Sequence, residues 1–281
     1  MKVLVTGATG RIGSAIAARL ALRHTVTGLD LRPGALTQVV ADVADTARLA
    51  PLLTGIDAVI HTAALHVPDL AARSREDFHE VNVAATRRLL AAAGEAGVRR
   101  FVYSSTTSLY GDAMLPLAGE AVWVTESLAP EPRDVYDETK LAAEAACEQA
   151  GRAGMACTSL RMARCFPEDP RLVAIYRLYR GVDAEDVAQA HELALDAEDA
   201  GFRVFNVSAP TPFGRTDCRR LFEDAESVVL ERHPWAAGEF ARRGWQLPRS
   251  IDRVYVVDQA IAELGYRPQH DFAALFRPPV R

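Results

Sequence analysis

The stretch MKVLVTGATGRIG, residues 1–13, decides the fold. Residues 2–6 read as a buried strand that runs into a turn with glycines at regular intervals, Gly7, Gly10 and Gly13, and then into an apolar helical stretch. Glycines let a backbone turn sharply beside a phosphate, and a helix N-terminus offers free N–H groups and the positive end of its dipole. The stretch therefore predicts a site for a dinucleotide pyrophosphate, although its G-x-x-G-x-x-G spacing differs from the G-x-G-x-x-G fingerprint. A glycine-rich turn without a ligand is the alternative for this stretch taken alone.

The length, net charge and cysteine spacing of the chain limit the classes of protein to which it can belong. A chain of 281 residues fits one α/β domain with an appended lobe. Its net charge is -5 and its arginines are scattered among acidic residues, which argues against nucleic acid or an anionic membrane as a partner and favours a small molecule. The four cysteines form no C-x-x-C pair, and no stretch has the length of a membrane span, so we expect a cytoplasmic protein with reduced thiols. The histidines and cysteines have no metal-site spacing.

Further dinucleotide-binding features follow in order along the chain. Residues 25–30 read as a second strand that ends in Asp30, where a carboxylate hydrogen-bonds an adenosine ribose and disfavours a 2'-phosphate. Asp30 therefore favours NAD, while Arg32 leaves NADP open. Asp42 and Val43 are candidates to hold and cover the adenine.

Strands and helices then alternate, which predicts a doubly wound parallel sheet. Residues 57–61 read as a third strand that ends in His61, whose ring we expect to matter less than its backbone. The next loop contains His66, a candidate to meet substrate. A helix of about twenty residues begins after Ser74, and residues 100–104 form a fourth strand followed by a cluster of hydroxyls. Such a cluster at the end of a parallel strand is where open α/β sheets bind ligands.

The residues that carry the chemistry are Tyr136 and Lys140, which follow a long loop over residues 112–133. Their four-residue spacing puts the phenol and the ammonium on one face of a helix. A phenol has a pKa near ~10, and lowering it by about three units needs roughly 4 kcal/mol. One cation at about 4 Å and an effective dielectric of ~20 supplies energy of that order. The pair therefore predicts a tyrosine that acts as an acid/base near neutral pH.

With these features in place, the chain resembles the extended short-chain dehydrogenase/reductases, the NAD-dependent epimerase/dehydratase family. The resemblance rests on motifs spread over most of the chain: 6–13, Asp30, Asp42-Val43, 61–64, Asn82, 103–111, Tyr136 with Lys140, Leu160-Arg161, 182–188 and 258–268. It implies a Rossmann-type sheet and a nicotinamide cofactor, NAD with NADP not excluded.

The resemblance also implies roles for individual residues. Tyr136 would be the acid/base, Lys140 would lower its pKa and hold the nicotinamide ribose, and Thr106 would hydrogen-bond the reacting oxygen. The residues expected to bind the cofactor are Gly7, Thr9, Gly10, Arg11, Ile12, Gly13, Asp30, Arg32, Asp42, Val43, Thr62, Ala63, Ala64, Asn82, Ser104, Tyr136 and Lys140.

Departures from the family pattern bear on the substrate. Sugar-nucleotide dehydratases have an Asp-Glu pair where this chain has Thr107-Ser108, which argues against dehydration. The segment after Arg161 is shorter than in the sugar-nucleotide epimerases and is locally similar to the uronate dehydrogenases, which oxidise a free sugar acid. We therefore expect His66, Thr106, Thr107 and Arg164 to face the substrate, with a surface ion pair as the alternative for Arg164. The sequence offers no explanation for Asp134 and Asp137 beside Tyr136.

The sequence thus predicts a Rossmann domain over 1–161, its sheet completed by about 183–207, and a smaller, partly discontinuous substrate lobe within 162–281. The predicted activity is hydride transfer between a nicotinamide and a secondary alcohol of a sugar or similar small polar molecule. Two alternatives remain open: a nucleotide-sugar 4-epimerase with tightly bound NAD, and a dinucleotide sensor without activity. The resemblance also implies a homodimer through the helices of Asn82 and Tyr136.

Overall fold

The computed structural model describes residues 1–196 and 201–277. Its main sheet has seven strands, all parallel, in the order β3-β2-β1-β4-β5-β7-β8, and a separate parallel pair joins β6 to β9. The strands are β1 (Lys2–Thr6), β2 (Thr25–Asp30), β3 (Val39–Val40), β4 (Ala58–His61), β5 (Arg100–Thr106), β6 (Val122–Val124), β7 (Ala156–Met162), β8 (Gly201–Val207) and β9 (Arg253–Tyr255). This is the predicted doubly wound, Rossmann-type α/β fold.

Helices cover both faces of the main sheet. They are α1 (Arg11–Leu20), α2 (Thr46–Leu53), α3 (Arg75–Phe78), α4 (Ala85–Glu95), α5 (Val135–Arg152), α6 (Pro170–Arg177), α7 (Ala184–Leu195), α8 (Cys218–Arg232), α9 (Ala236–Arg243) and α10 (Asp258–Leu264). A π-helical segment, His79–Ala84, joins α3 to α4 and makes one long helix, as predicted from Ser74 onward. Segments of this kind often mark functional sites.

The alternation of apolar residues along β1 explains why both faces are covered. Val3 and Val5 lie in one apolar cluster with residues of α1 and α7, whereas Leu4 lies in a second cluster with residues of α2, α4 and α5. Because successive side chains of a strand point to opposite faces, β1 is buried on both sides. The strand order reverses between β1 and β4, so their carboxyl ends, Thr6 and His61, open the crevice where such folds bind ligands.

The lobe beside this sheet contains regular elements. Residues 208–250 contain α8 and α9, and the predicted loop 112–133 contains β6, so the loop prediction was incomplete. The aromatic residues of the lobe pack on one another, with Trp235 stacked on Phe272. Residues 197–200, within the stretch expected to complete the main sheet, lie outside the described residues, and the division into two domains stays a prediction.

None of the helices in the described ranges is both long and apolar enough to cross a membrane. Within the same ranges, no cluster of three or more histidine, cysteine, aspartate or glutamate side chains has the arrangement of a metal site.

Candidate active site

The glycine turn forms a tight cradle between β1 and α1. Gly7 has a φ of +74°, and a Cβ on Gly13 would lie 2.0 Å from the Gly7 carbonyl oxygen. A Cβ on Gly7 would in turn lie 2.8 Å from the backbone nitrogen of Ala63, so the turn passes directly against the loop after β4. Gly10 is the N-cap of α1 and has no side chain to satisfy the first N–H groups of that helix. These features fit a pyrophosphate, which needs a close backbone and free N–H donors.

Asp30 closes the far side of this turn. One carboxylate oxygen accepts a hydrogen bond from the Thr9 backbone at 3.0 Å and the other accepts one from the Arg32 backbone at 3.0 Å. The Thr9 hydroxyl donates to the Arg32 carbonyl at 2.8 Å, so the Thr9 side chain helps to fix the turn. The Arg32 side chain is exposed. The position of Asp30 is therefore consistent with the predicted contact to a ribose.

The remaining residues proposed for the cofactor have varied surroundings. Arg11 is exposed at the start of α1, and Ile12 packs partly against the core. Asp42 is exposed and Val43 is buried. The loop of Thr62, Ala63 and Ala64 is half-buried beside the glycine turn.

Asn82 is hydrogen-bonded to two neighbouring segments, and its contact with the cofactor stays a prediction. It is 1% exposed, and its side chain accepts from the Leu65 backbone at 2.8 Å and donates to the Leu65 carbonyl at 2.9 Å. Its amide also donates to the Thr139 hydroxyl at 3.1 Å. With these partners the Asn82 side chain ties the loop after β4 to α5 and has no free N–H to offer a cofactor.

The Ser104 side chain is hydrogen-bonded within the protein. His191 uses its Nδ1 proton to bond the Val187 carbonyl at 2.8 Å, so its Nε2 accepts the Ser104 hydroxyl at 2.7 Å. The backbone carbonyl of Ser104 instead accepts a hydrogen bond from the Lys140 ammonium at 2.6 Å. Strand geometry thus turns the Ser104 hydroxyl toward α7, and the contact of Ser104 with the cofactor stays a prediction.

Tyr136 and Thr106 come together at the carboxyl edge of the sheet. The Thr106 side chain lies beside the Tyr136 phenol and lowers the pKa of that phenol, and the Ser108 backbone donates to the Thr106 hydroxyl at 3.1 Å. Thr106 ends β5 and Tyr136 lies in the first turn of α5, so the packing of this helix against β5 makes the contact. The predicted pair of a tyrosine and a hydroxyl residue is thus present.

Lys140 lies one turn after Tyr136 and is almost completely buried, 4.2 Å from the centre of the Tyr103 ring. Burial lowers the pKa of Lys140 to about 7, and burial raises the pKa of Tyr136 well above its usual value. The role predicted for Lys140, lowering the pKa of Tyr136 and holding the nicotinamide ribose, stays a prediction. Desolvation favours the neutral phenol, so its ionisation needs positive charge nearby.

The structure explains the two aspartates that the sequence left unexplained. Asp134 is the N-cap of α5 and accepts from the Asp137 backbone at 2.9 Å. Asp137 is completely buried and accepts the Ser108 hydroxyl at 2.5 Å, which ties the start of α5 to the segment after β5. The spacing of Asp134 and Asp137 is that of an N-terminal cap, a signal present in the sequence.

Of the residues proposed for the substrate, Thr106 lies beside the predicted acid/base. Thr107 is 3% exposed and donates to the Met162 carbonyl at 3.4 Å, and its contact with substrate stays a prediction. Arg164 forms an ion pair with Glu168 and lies over the Phe166 ring, which agrees with the surface-pair alternative. His66 is exposed, with its ring 6.3 Å from that of Phe166.

Comparison with known proteins assigns the chain to a family. It is 34% identical to the L-arabinose 1-dehydrogenase (NAD(P)(+)) of Haloferax volcanii, over 98% of both chains. It is 26% identical to the UDP-glucose 4-epimerase of Corynebacterium glutamicum, over 96% of this chain and 92% of that one. A short-chain dehydrogenase/reductase superfamily protein of Agrobacterium tumefaciens, solved with bound NAD, has the same fold, with a TM-score of 0.74, 24% identity, and coverage of 98% and 94% of the two chains.

The sequence profile of the NAD-dependent epimerase/dehydratase family matches residues 3–171, which contain the glycine turn, Thr106, Tyr136 and Lys140. This match and the full-length relatives confirm the predicted class of enzyme, a NAD-dependent dehydrogenase or epimerase. The chain belongs to the NAD-dependent epimerase/dehydratase family.

Proposed function

We propose that this chain is a NAD-dependent dehydrogenase that oxidises a secondary alcohol of a free sugar or a similarly small polar molecule. The observation that carries the proposal is the contact between Thr106 and Tyr136, with Lys140 buried one helical turn later. This constellation lies at the carboxyl edge of the sheet, on the same edge as the glycine turn, where a nicotinamide and a substrate would meet.

The cofactor would be held by the residues around the glycine turn. Gly7, Gly10 and Gly13 leave the space and the N–H groups for the pyrophosphate, and Asp30 would bond the adenosine ribose. When bound, NAD supplies the carbon that accepts a hydride, and its positive ring favours a nearby phenolate. Asp30 favours NAD over NADP because of its charge, and Arg32 keeps NADP within the proposal.

The protein's own residues would move the proton. Thr106 is placed to hydrogen-bond the reacting hydroxyl, and the Tyr136 phenolate would remove its proton as the carbonyl forms. Because burial raises the pKa of Tyr136, the enzyme needs positive charge beside the phenol in order to ionise it. Lys140 supplies part of that charge when it is protonated, and its bond to the Ser104 carbonyl holds its ammonium in place.

Two observations favour a free sugar over a nucleotide sugar as the substrate: identity to known relatives and the length of one segment of the chain. The arabinose dehydrogenase shares more identity with this chain than the epimerase does, and it aligns over nearly the whole of both chains. The segment from Arg161 to Asp186, expected to build much of a nucleotide-diphosphate site in the epimerases, is also short. We further propose that the enzyme acts in the cytoplasm as a homodimer.

A nucleotide-sugar 4-epimerase is the second candidate, because the Corynebacterium glutamicum relative aligns over most of both chains. The two activities differ in their use of cofactor, since a dehydrogenase forms NADH and an epimerase returns the hydride.

The test is a panel of aldoses, sugar acids and UDP-sugars with NAD or NADP, followed by absorbance of the reduced cofactor and by product analysis. Net NADH formation with a free sugar supports the proposal. Interconversion of UDP-sugars without net NADH would assign the epimerase instead. Cofactor binding without turnover of any panel member would favour a sensor and contradict both.

A further inference from the structure

The His61 ring lies completely buried at the carboxyl end of β4, and both of its nitrogens are hydrogen-bonded. Its Nδ1 is 2.7 Å from the Thr6 hydroxyl, and its Nε2 is 2.8 Å from the Thr86 hydroxyl. Thr6 ends β1 directly before the glycine turn, and Thr86 lies in the first turn of α4. The imidazole thus joins the end of β1 to the start of α4.

The neighbours of these hydroxyls fix the direction of each bond. Thr86 lies 2.8 Å from the Asn82 carbonyl, to which it can only donate, so it accepts the proton of His61 Nε2. In a neutral imidazole His61 Nδ1 then accepts from the Thr6 hydroxyl, whose oxygen also accepts from the Ala63 backbone at 3.3 Å. The single proton of a neutral ring is therefore on Nε2. Burial, together with the Lys140 charge, lowers the pKa of His61 to about 3, which agrees with a neutral ring.

The same network continues from Asn82 to the predicted acid/base. The Asn82 amide donates to the Thr139 hydroxyl at 3.1 Å, and Thr139 donates to the Tyr136 carbonyl at 3.0 Å. The Asn82 side chain also holds Leu65 in the loop after β4 through two hydrogen bonds. Thr6, His61, Thr86, Asn82 and Thr139 therefore connect the glycine turn with the helix of Tyr136, and we call them the histidine chain.

We propose that His61 is a positioning residue, which acts through the histidine chain to set the backbone of Tyr136 and the loop 62–66 relative to the glycine turn. The glycine turn would hold the cofactor, so the chain would fix the distance between the nicotinamide and the phenol. Each hydroxyl in the chain has one donor and one acceptor partner, so no member can shift without breaking a buried hydrogen bond. The effect on turnover rests on the proposed function, whereas the tautomer of His61 does not.

The test compares Thr86→Val with Thr86→Ser. Valine has nearly the shape of threonine and leaves the His61 Nε2 proton without an acceptor, whereas serine keeps the hydroxyl. Hydride transfer is sensitive to small misplacements, so we expect Thr86→Val to lower kcat about tenfold at an unchanged substrate KM. Thr86→Ser should retain at least about half of the kcat. Thermal denaturation must show that both variants are folded at the assay temperature.

The second arm is independent of turnover. In protein labelled with 15N-histidine, the His61 signal is identified by its loss in His61→Gln and by its shift in Thr86→Val. We expect a neutral ring with the proton on Nε2 from about pH 5 to about pH 9. A proton on Nδ1, or a charged ring in this range, would overturn the chain as described. A Thr86→Val variant that is less stable but turns over like Thr86→Ser would overturn the positioning role. If the unmodified enzyme turns over no substrate, the proposed function fails. The measured position of the His61 proton still tests the hydrogen bonds of the histidine chain.

Discussion

Ser108 donates its hydroxyl proton to the carboxylate of Asp137 across 2.5 Å. Ser108 is half-buried two residues after Thr106, and Asp137 is completely buried directly after Tyr136. The bond therefore joins the segments that carry the two halves of the predicted reaction centre. It also places a buried acidic group next to the phenol that must ionise.

Asp137→Asn should shift the pH dependence of oxidation to lower pH. Burial raises the pKa of Tyr136 most, and the carboxylates of Asp137 and Asp134 raise it further. A negative charge disfavours the phenolate, so removing it lowers the pKa of Tyr136, and the rise of kcat/KM with pH should begin at lower pH. Glu138→Gln is the matched control, because Glu138 pairs with Arg75 at the surface. A profile for Asp137→Asn that is unchanged, or moved to higher pH, would refute this electrostatic role.

Glu144→Gln should destabilise the protein strongly. Glu144 and Arg161 form a nearly completely buried ion pair at 2.7 Å, and Glu144 also accepts the Ser159 hydroxyl at 2.8 Å. Glutamine leaves the guanidinium without a counter-charge, so the free energy of unfolding should fall by about 3–5 kcal/mol in urea denaturation.

The control for this prediction is Glu148→Gln, on the same helix. Glu148 pairs with Arg152 at the surface, where both side chains are largely exposed. This change should cost less than about 1 kcal/mol. Equal losses of unfolding free energy in Glu144→Gln and Glu148→Gln would mean that burial does not determine how much an ion pair contributes to stability.

Gly13→Ala should damage the cofactor site. The added Cβ would lie 2.0 Å from the Gly7 carbonyl oxygen, so the turn must move. We expect the free energy of unfolding to fall by about 1–3 kcal/mol. Isothermal titration should show NAD binding weakened by about tenfold or more, which corresponds to about 1.4 kcal/mol.

Gly238→Ala is the control for the glycine turn. Gly238 lies on the exposed side of α9, and a Cβ there would meet no atom within 4 Å. Alanine in a helix interior should stabilise the protein by about 0.5–1 kcal/mol and leave NAD binding unchanged. Unimpaired NAD binding by Gly13→Ala would show that the turn is not the phosphate cradle.

The sequence was sufficient for features that depend on local spacing. The glycine turn, Asp30 at the end of β2, and the position of Tyr136 and Lys140 one turn apart in α5 follow from residue intervals that set the conformation of a turn, a strand end or a helix. The lobe also carries a local signal, because the buried residues Leu221, Ala225 and Val228 have helical spacing in α8. Proline and glycine residues on both sides of α8 make this signal hard to recognise in the sequence.

Features that depend on packing between distant segments could not be read in this way. The orientation of Ser104 and of Asn82 is decided by the partners His191 and Leu65, which the sequence does not place nearby. Burial under the rest of the fold raises the pKa of Tyr136, and residue spacing alone does not predict that environment. The sequence thus identifies candidate site residues, whereas their hydrogen-bond partners and burial depend on the folded structure.

The most direct test of the account is the rate of NADH formation by Tyr136→Phe and by the unmodified enzyme, with the best substrate of the sugar panel. Phenylalanine keeps the ring and removes the hydroxyl, so we predict that kcat falls by about 100-fold to 10,000-fold. NAD binding, measured by titration, should stay within about threefold, because the glycine turn and Asp30 are untouched. NADH formation at an undiminished rate by Tyr136→Phe, with NAD bound equally well, would contradict the assignment of Tyr136 as the acid/base.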